Sequence, residues 1–351
     1  MACVGNYAGK RGSCASVQLS VIIRSMNTHE PAGPMPLIID CDPGVDDAIA
    51  LMVALNSSRF SVLGITAVAG NVPLRLTEYN ARRLCALLGR ADVPVFAGCP
   101  RPLLHNLVTA EEIHGATGLD GAELPEPARD VAAQHAVSFL IDVLSAASEP
   151  VTLACTAPLT NLAVALIQRP EIAAGIREVV IMGGGINRGN ITPVAEFNFY
   201  ADPHAARVVF ESGLPITLVP LDVTHQVLVT NDVIASIRAI GNPVSRVAAD
   251  LLAYYGSMRR PALAGAPLHD PCVIAYLLRP DLFGGFPADV SIETDSALTM
   301  GQSVVKRRRM PEGGRPEGGP PEGRPPVTVL DTADAGGVFE LILSHLGGVG
   351  A

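Results

Sequence analysis

Four carboxylates fall within the eight residues of the segment DCDPGVDD: Asp40, Asp42, Asp46 and Asp47. Pro43 and Gly44 at its centre form a tight turn, so side chains on either side of the bend can face one site. Left unpaired, these charges repel one another, and each is costly to hold in a partly desolvated turn. A divalent cation would remove the repulsion. An all-oxygen donor set of carboxylates and a backbone carbonyl suits a hard ion such as calcium or magnesium, and the shortage of nearby histidine or cysteine disfavours zinc. Capping of the following helix would account for one or two of the aspartates but not four. The local spacing leaves another reading open, because a strand ending in Asp-x-Asp also occurs in phosphoryl-transfer enzymes that hold magnesium.

Such residues need a frame. From Met35 onward, short β-branched apolar runs alternate with longer stretches of helical spacing, the pattern of an α/β fold with an open, mostly parallel central sheet flanked by helices. Strands are predicted at 36–42, 61–69, 94–97, 151–156, 178–182 and 216–221, and helices at 46–55, 75–88, 132–147, 159–168 and 202–212. In open α/β sheets, ligands bind beyond the carboxyl ends of the strands. Asp40 and Asp42, Asn71, Thr156 and Asp222 all fall at such ends, so one rim should collect the chemistry. Residues 306–326, KRRRMPEGGRPEGGPPEGRPP, are too rich in proline, glycine and charge to order themselves, and are predicted to be a solvated insertion. Their flanks, 297–305 and 326–330, both have strand character, which predicts a hairpin with an enlarged loop. Residues 1–34 are expected to be a poorly ordered extension, since Arg24 ends the apolar patch 17–23 before a secretory signal could form. That leaves 35–351 as a single catalytic domain.

Composition narrows the function classes. Apolar residues make up 48% of the 351 residues and the mean hydropathy is +0.34, enough for a large core, yet no apolar run reaches the ~20 residues of a membrane span. A net charge of −9 argues against nucleic-acid partners, which require clustered basic residues. Seven scattered cysteines, several within apolar runs, point to a reducing, cytoplasmic setting.

The segment DCDPGVDDAIAL resembles the signature of the inosine-uridine preferring nucleoside hydrolase family. Similar motifs follow in order: Gly70-Asn71-Val72, His114-Gly115 with Gly118-Leu119, Thr156 with Pro158-Leu159-Thr160-Asn161, and Met182-Gly183-Gly184. Then come Asn190, Glu196-Phe197-Asn198, Asp202-Pro203, Leu221-Asp222-Val223-Thr224 and His269-Asp270-Pro271. The resemblance spans 36–305 and extends to the C-terminal helix. It implies hydrolysis of the N-glycosidic bond of ribonucleosides to ribose and free base, with calcium as cofactor, in a homodimer or homotetramer serving nucleoside salvage.

By that resemblance Asp42, Asp47, Asp270 and the carbonyl of Thr156 ligate calcium, and Asp42 takes a proton from the attacking water. Asp46, Asn71, Asn190, Glu196 and Asn198 hold the ribose hydroxyls, with Asp270 beside them. An acidic, polar clamp of this kind orients the sugar and favours the positive charge that develops as the glycosidic bond breaks. A departing base needs a proton or a hydrogen bond, for which His269 and His114 are the candidates. The two histidines lean towards pyrimidine nucleosides, although spacing does not fix the base preference. Tyr254 and Tyr255 could stack on the base or belong to a helix face. His225 reads as a loop hydrogen-bonder, and Asp222 as structural. Ala157, Ala69 and Lys306 depart from the family pattern, which puts local geometry in doubt but leaves the presumed ligands intact. Two alternatives accompany this reading: a magnesium-dependent phosphate-ester hydrolase built on Asp40 and Asp42, and a non-catalytic calcium-dependent nucleoside-binding protein.

Overall fold

The β-branched apolar runs extend into strands buried on both faces. In β1 (Met35–Cys41), Leu37, Ile39 and Cys41 enter one hydrophobic cluster and Ile38 enters the other. This is why the strand is a continuous apolar run rather than an alternating one. The computed structural model describes residues 33–258, 265–308 and 325–348. The strands after β1 are β2 (Phe60–Ala67), β3 (Val95–Ala97), β4 (Val151–Cys155), β5 (Ile176–Met182), β6 (Ile216–Val219), β7 (Leu228–Val229), β8 (Ala266–Pro267), β9 (Phe283–Ile292), β10 (Ser303–Arg307) and β11 (Val327–Ala333). Nine of them make one sheet in the order β10-β9-β11-β6-β5-β4-β1-β2-β3, while β7 and β8 pair separately. From β11 to β3 every pairing is parallel, and β9 runs antiparallel to both β10 and β11. This is the mostly parallel, helix-flanked sheet that the sequence predicts.

Helices cover both faces. The helix Val45–Asn56 is buried from Val45 to Leu55, so it is apolar nearly all round, as expected of a helix enclosed by others. It packs against Pro243–Met258, Pro271–Leu278 and Ala335–Leu346. Ala136–Ala146, Thr160–Gln168 and Pro203–Glu211 contribute to the cluster on the opposite face. Among the described residues no helix is long and apolar enough to cross a membrane.

The predicted hairpin around the 306–326 segment does not form. β10 and β11 lie on opposite sides of β9, each antiparallel to it, and do not pair with each other. The misreading has a physical source in β9 itself, FGGFPADVSI, where Gly284, Gly285 and Pro287 mimic a turn. Residues 309–324 of the segment, and 1–32 of the N-terminal extension, lie outside the described residues.

Candidate active site

The acidic bend sits where β1 ends, beside the carboxyl end of β4. Thr156 N–H donates to the Asp40 carbonyl at 2.9 Å, and the four aspartates then separate. The Asp40 carboxylate accepts from Thr66 Oγ1 at 2.5 Å and Asn161 Nδ2 at 2.8 Å. Burial pushes it up to about 6 against those two donors. Asp42 Oδ2 accepts from the Asn71 N–H at 2.6 Å. Asn71 Nδ2 lies 3.2 Å from the Asp42 carbonyl and 3.1 Å from Asp47 Oδ2. Asp47 also accepts from Thr156 Oγ1 at 2.7 Å and from Gly44 N–H at 3.1 Å. The second of these bonds caps its own helix, so the capping role is real for one aspartate.

Asp46, Asp47 and Asp270 bring carboxylate oxygens within 4.8 Å of one another, all buried. Asp46, assigned to the ribose by resemblance, thus stands among the charges an ion would meet there. Asp42 lies outside this trio, held by Asn71, with its Oδ1 buried and without a hydrogen-bond partner. Burial, followed by the charge of Asp47, raises Asp42 well above the usual carboxylate range. Asp270 is raised by burial and by Asp46, Asp47 and Asp42, and Asp47 is pushed up to about 7 by burial and by Asp46. So much buried like charge calls for a counter-ion. The donor set fits a hard divalent cation: carboxylate oxygens, one of them orphaned, and the Thr156 carbonyl, which accepts from Asn198 Nδ2 at 3.0 Å and retains its second lone pair.

These groups open onto a cleft of about 660 Å³. Its walls include Asp46, Asn71, His114, Thr156, Asn190, Glu196, Asn198, His269 and Asp270, nine of the eleven residues singled out from sequence; Asp42 and Asp47 lie behind the wall, hydrogen-bonded to Asn71. Glu196 caps the short helix Phe197–Ala201, accepting from Asn198 N–H at 2.9 Å and Phe199 N–H at 3.2 Å, and from Gly184 N–H at 2.9 Å. Burial, opposed by those three donors, pushes it up to about 7. Asn190 Oδ1 accepts from Phe197 N–H at 2.9 Å.

On the other wall, His114 Nδ1 accepts from Val45 N–H at 3.1 Å, at the start of the helix Val45–Asn56. The neutral ring therefore carries its proton on Nε2 and is a donor there. Tyr255 stacks on His114 with ring centroids 5.7 Å apart, is fully buried, and donates its hydroxyl to the Pro267 carbonyl. Tyr255 is thus both helix face and cleft wall. His269 Nδ1 lies 2.8 Å from Thr224 Oγ1, a partner the sequence reading missed although Thr224 lies in one of its motifs. His225 is a hydrogen-bonder, as expected, 2.9 Å from Arg188 Nη1. Ala157 and Ala69, the two departures near the site, are both accommodated in the core.

A profile of the inosine-uridine preferring nucleoside hydrolase family matches residues 37–340. The chain belongs to this family. The nucleoside hydrolase is 47% identical over 280 residues to the pyrimidine-specific ribonucleoside hydrolase RihA of Photobacterium profundum, covering 79% of this chain and 90% of that one. Among solved structures, a plant nucleoside hydrolase superposes with a TM-score of 0.80 at 30% identity, covering 89% of this chain and 99% of its own. The purine-preferring ribonucleoside hydrolase from Gardnerella vaginalis gives 0.81 at 29% identity, covering 90% and 99%. The protein is a ribonucleoside hydrolase.

Proposed function

We propose that this ribonucleoside hydrolase is calcium-dependent and prefers pyrimidine nucleosides, with Asp42, Asp47, Asp270 and the Thr156 carbonyl holding the ion and Asp46 beside them. The observation that carries the reading is the buried acidic cluster, with the orphaned Asp42 Oδ1, beside a wall of Asn and Glu side chains in the same cleft. When bound, the cation supplies the positive charge that lets water lose a proton near neutral pH. Asp42 accepts that proton. Hydroxide adds to the anomeric carbon of ribose as the glycosidic bond breaks, and the bonding electrons leave with the base, which takes up a proton.

Asn71, Asn190, Glu196, Asn198 and Asp46 hold the ribose hydroxyls. The negative charge around them favours the oxocarbenium-like transition state over the neutral substrate. Glu196 Oε1 accepts one backbone N–H and Oε2 two, which leaves Oε1 the lone pair for a sugar hydroxyl. His269 supplies the proton or hydrogen bond to the departing base, and His114 Nε2–H offers a second donor. Two donors suit the carbonyl-bearing pyrimidines, in line with the specificity named for RihA.

The phosphate-ester alternative fares worse. A phosphate-ester hydrolase needs Asp40 and Asp42 working together and a basic clamp. Asp40 is instead engaged with Thr66 and Asn161, and the described residues lining the cleft include no Lys or Arg. A role in salvage, a cytoplasmic setting consistent with the five cysteines among the described residues being free, assembly as a homodimer or homotetramer, and a single catalytic domain from residue 35 onward complete the proposal. Reducing-sugar release over a panel of uridine, cytidine, inosine and adenosine, with and without chelator, on wild type and Asp42→Ala, tests it. Activity that survives both chelator and substitution removes the metal-assisted mechanism. Binding of nucleosides without release of ribose selects the non-catalytic alternative, and faster turnover of inosine than uridine overturns the pyrimidine preference.

A further inference from the structure

Asn190 lies on the segment that runs from β5 to the helix Phe197–Ala201, and the first residues of that segment are tied down by two side chains from elsewhere in the fold. At its start Gly185 N–H donates to Ser303 Oγ at 2.9 Å, and Ser303 Oγ donates to the Gly185 carbonyl at 2.7 Å. One step further on, Asp222 takes hold. Its Oδ2 accepts from Ile186 N–H at 2.6 Å and Asn187 N–H at 3.4 Å, and its Oδ1 accepts from Asn187 Nδ2 at 3.0 Å. Asp222 belongs to the short helix Leu221–Thr224, whose Thr224 hydroxyl lies against His269 Nδ1. The next residue, His225, accepts from Arg188 Nη1 through Nδ1, because a guanidinium only donates; its ring lies 5.7 Å from that of His269. The same four-residue helix therefore holds the arm bearing Asn190 and touches the histidine on the base side.

We propose that Asp222 is a positioning residue that sets the ribose arm, and with it Asn190, relative to His269, without touching substrate itself. The inference rests on the reading of Asn190 as a ribose ligand. Asp222 is only half-buried, and among the described residues its carboxylate accepts from 186 and 187 alone. Its removal therefore leaves the core and the acidic cluster in place while freeing the arm. A carboxylate accepting three N–H bonds is a stiff tether, stronger per bond than a neutral acceptor. Freed of it, the segment keeps the Ser303 anchor, the Arg188–His225 bond, the bond from Phe197 N–H to Asn190 Oδ1 and the turn in which Asn190 N–H donates to the Ala195 carbonyl, none of which fixes residues 186 and 187.

The test compares steady-state hydrolysis of uridine by wild type, Asp222→Ala, Asp222→Asn, Asn187→Ala, Asn190→Ala and the double variant Asp222→Ala/Asn190→Ala, with calcium affinity and thermal midpoint measured alongside. Misplacement of a substrate-orienting group by about 1 Å costs on the order of 10²-fold, so Asp222→Ala is expected to lower kcat/KM by roughly 10- to 100-fold with calcium affinity unchanged. Asn187→Ala, which removes one side-chain donor and keeps the backbone bonds, should lose less in the same direction and carries the test if Asp222→Ala fails to fold. Asp222→Asn, retaining an acceptor for Ile186 N–H, should recover part of the loss. Because Asp222 acts through Asn190, the double variant should be little worse than the poorer single. Wild-type kcat/KM in Asp222→Ala, or a double variant whose loss is the product of the single losses, overturns the proposal. A wild-type protein that releases no ribose from uridine or inosine defeats instead the nucleoside reading on which it rests.

Discussion

A methyl group added at Gly70 tests the placement of Asp42 without removing a polar atom. A Cβ there would lie 1.9 Å from Asp42 Oδ2, 2.8 Å from its Cγ and 3.0 Å from Pro158 Cδ. Gly70 has no left-handed backbone requirement, so alanine is conformationally allowed and the contact alone does the damage. The carboxylate must retreat by about 1.5 Å to reach ordinary contact distance. Its 2.6 Å bond from Asn71 N–H is lost or lengthened, and that bond to a charged group contributes about 1.5–3 kcal/mol. Crowding a packed site adds a cost of the same order, about 1–3 kcal/mol. The larger effect falls on catalysis, where a displacement of about 1 Å in an orienting or proton-accepting group lowers the rate on the order of 10²-fold.

Gly70→Ala is therefore expected to fold, to unfold at lower urea concentration, and to lose roughly 100-fold in kcat/KM. Calcium affinity, measured by titration calorimetry, should fall as well, since Asp42 is a proposed ligand. Gly256→Ala is the control: a Cβ there meets nothing within 4 Å, and in the helix Pro243–Met258 it should raise stability by up to about 1 kcal/mol. A Gly70→Ala enzyme within threefold of wild type would refute the argument, because it would show that the position of the Asp42 carboxylate does not limit the reaction.

Other expectations follow from neighbouring geometry. Asp47→Asn keeps the size of the side chain but removes a charge from the buried trio, so calcium binding should weaken by at least tenfold, about 1.4 kcal/mol; unchanged affinity in calorimetry would exclude Asp47 as a ligand. Thr224→Val deletes the hydroxyl 2.8 Å from His269 Nδ1, and turnover of uridine should drop far more than that of a riboside with a good leaving group such as 4-nitrophenolate; equal losses would show that His269 does not assist departure of the base. Glu196 is raised to about 7, chiefly by burial, so its protonated form is favoured by the fold: the stability it contributes is present below the ordinary carboxylate range and is lost as pH rises through about 7. The stability of wild type minus that of Glu196→Gln, from urea unfolding in chelator between pH 5 and 8, should accordingly decrease with pH; an increase would mean that the three N–H donors outweigh burial.

Local pattern determined a great deal of this protein. The acidic bend, the order of strands and helices up to β6, and the set of polar residues at the strand ends are all legible because each is written in a few consecutive residues: a β-branched run, a helical period, Pro-Gly between aspartates. Tertiary structure alone decided the partners. Asp40 and Asp42 lie two residues apart, yet Asp40 is claimed by Thr66 and Asn161 and Asp42 by Asn71. Asp46 joins Asp47 and Asp270, more than two hundred positions along the chain, and Tyr255 is set behind His114. β9 was hidden by its own glycines and proline, and only the pairing of both its edges, with β10 on one side and β11 on the other, makes it a strand. The physical reason is common to all of these: spacing along the chain governs backbone conformation over a few residues, whereas the orientation of a buried polar side chain is settled by whichever donors and charges the fold brings to it from elsewhere.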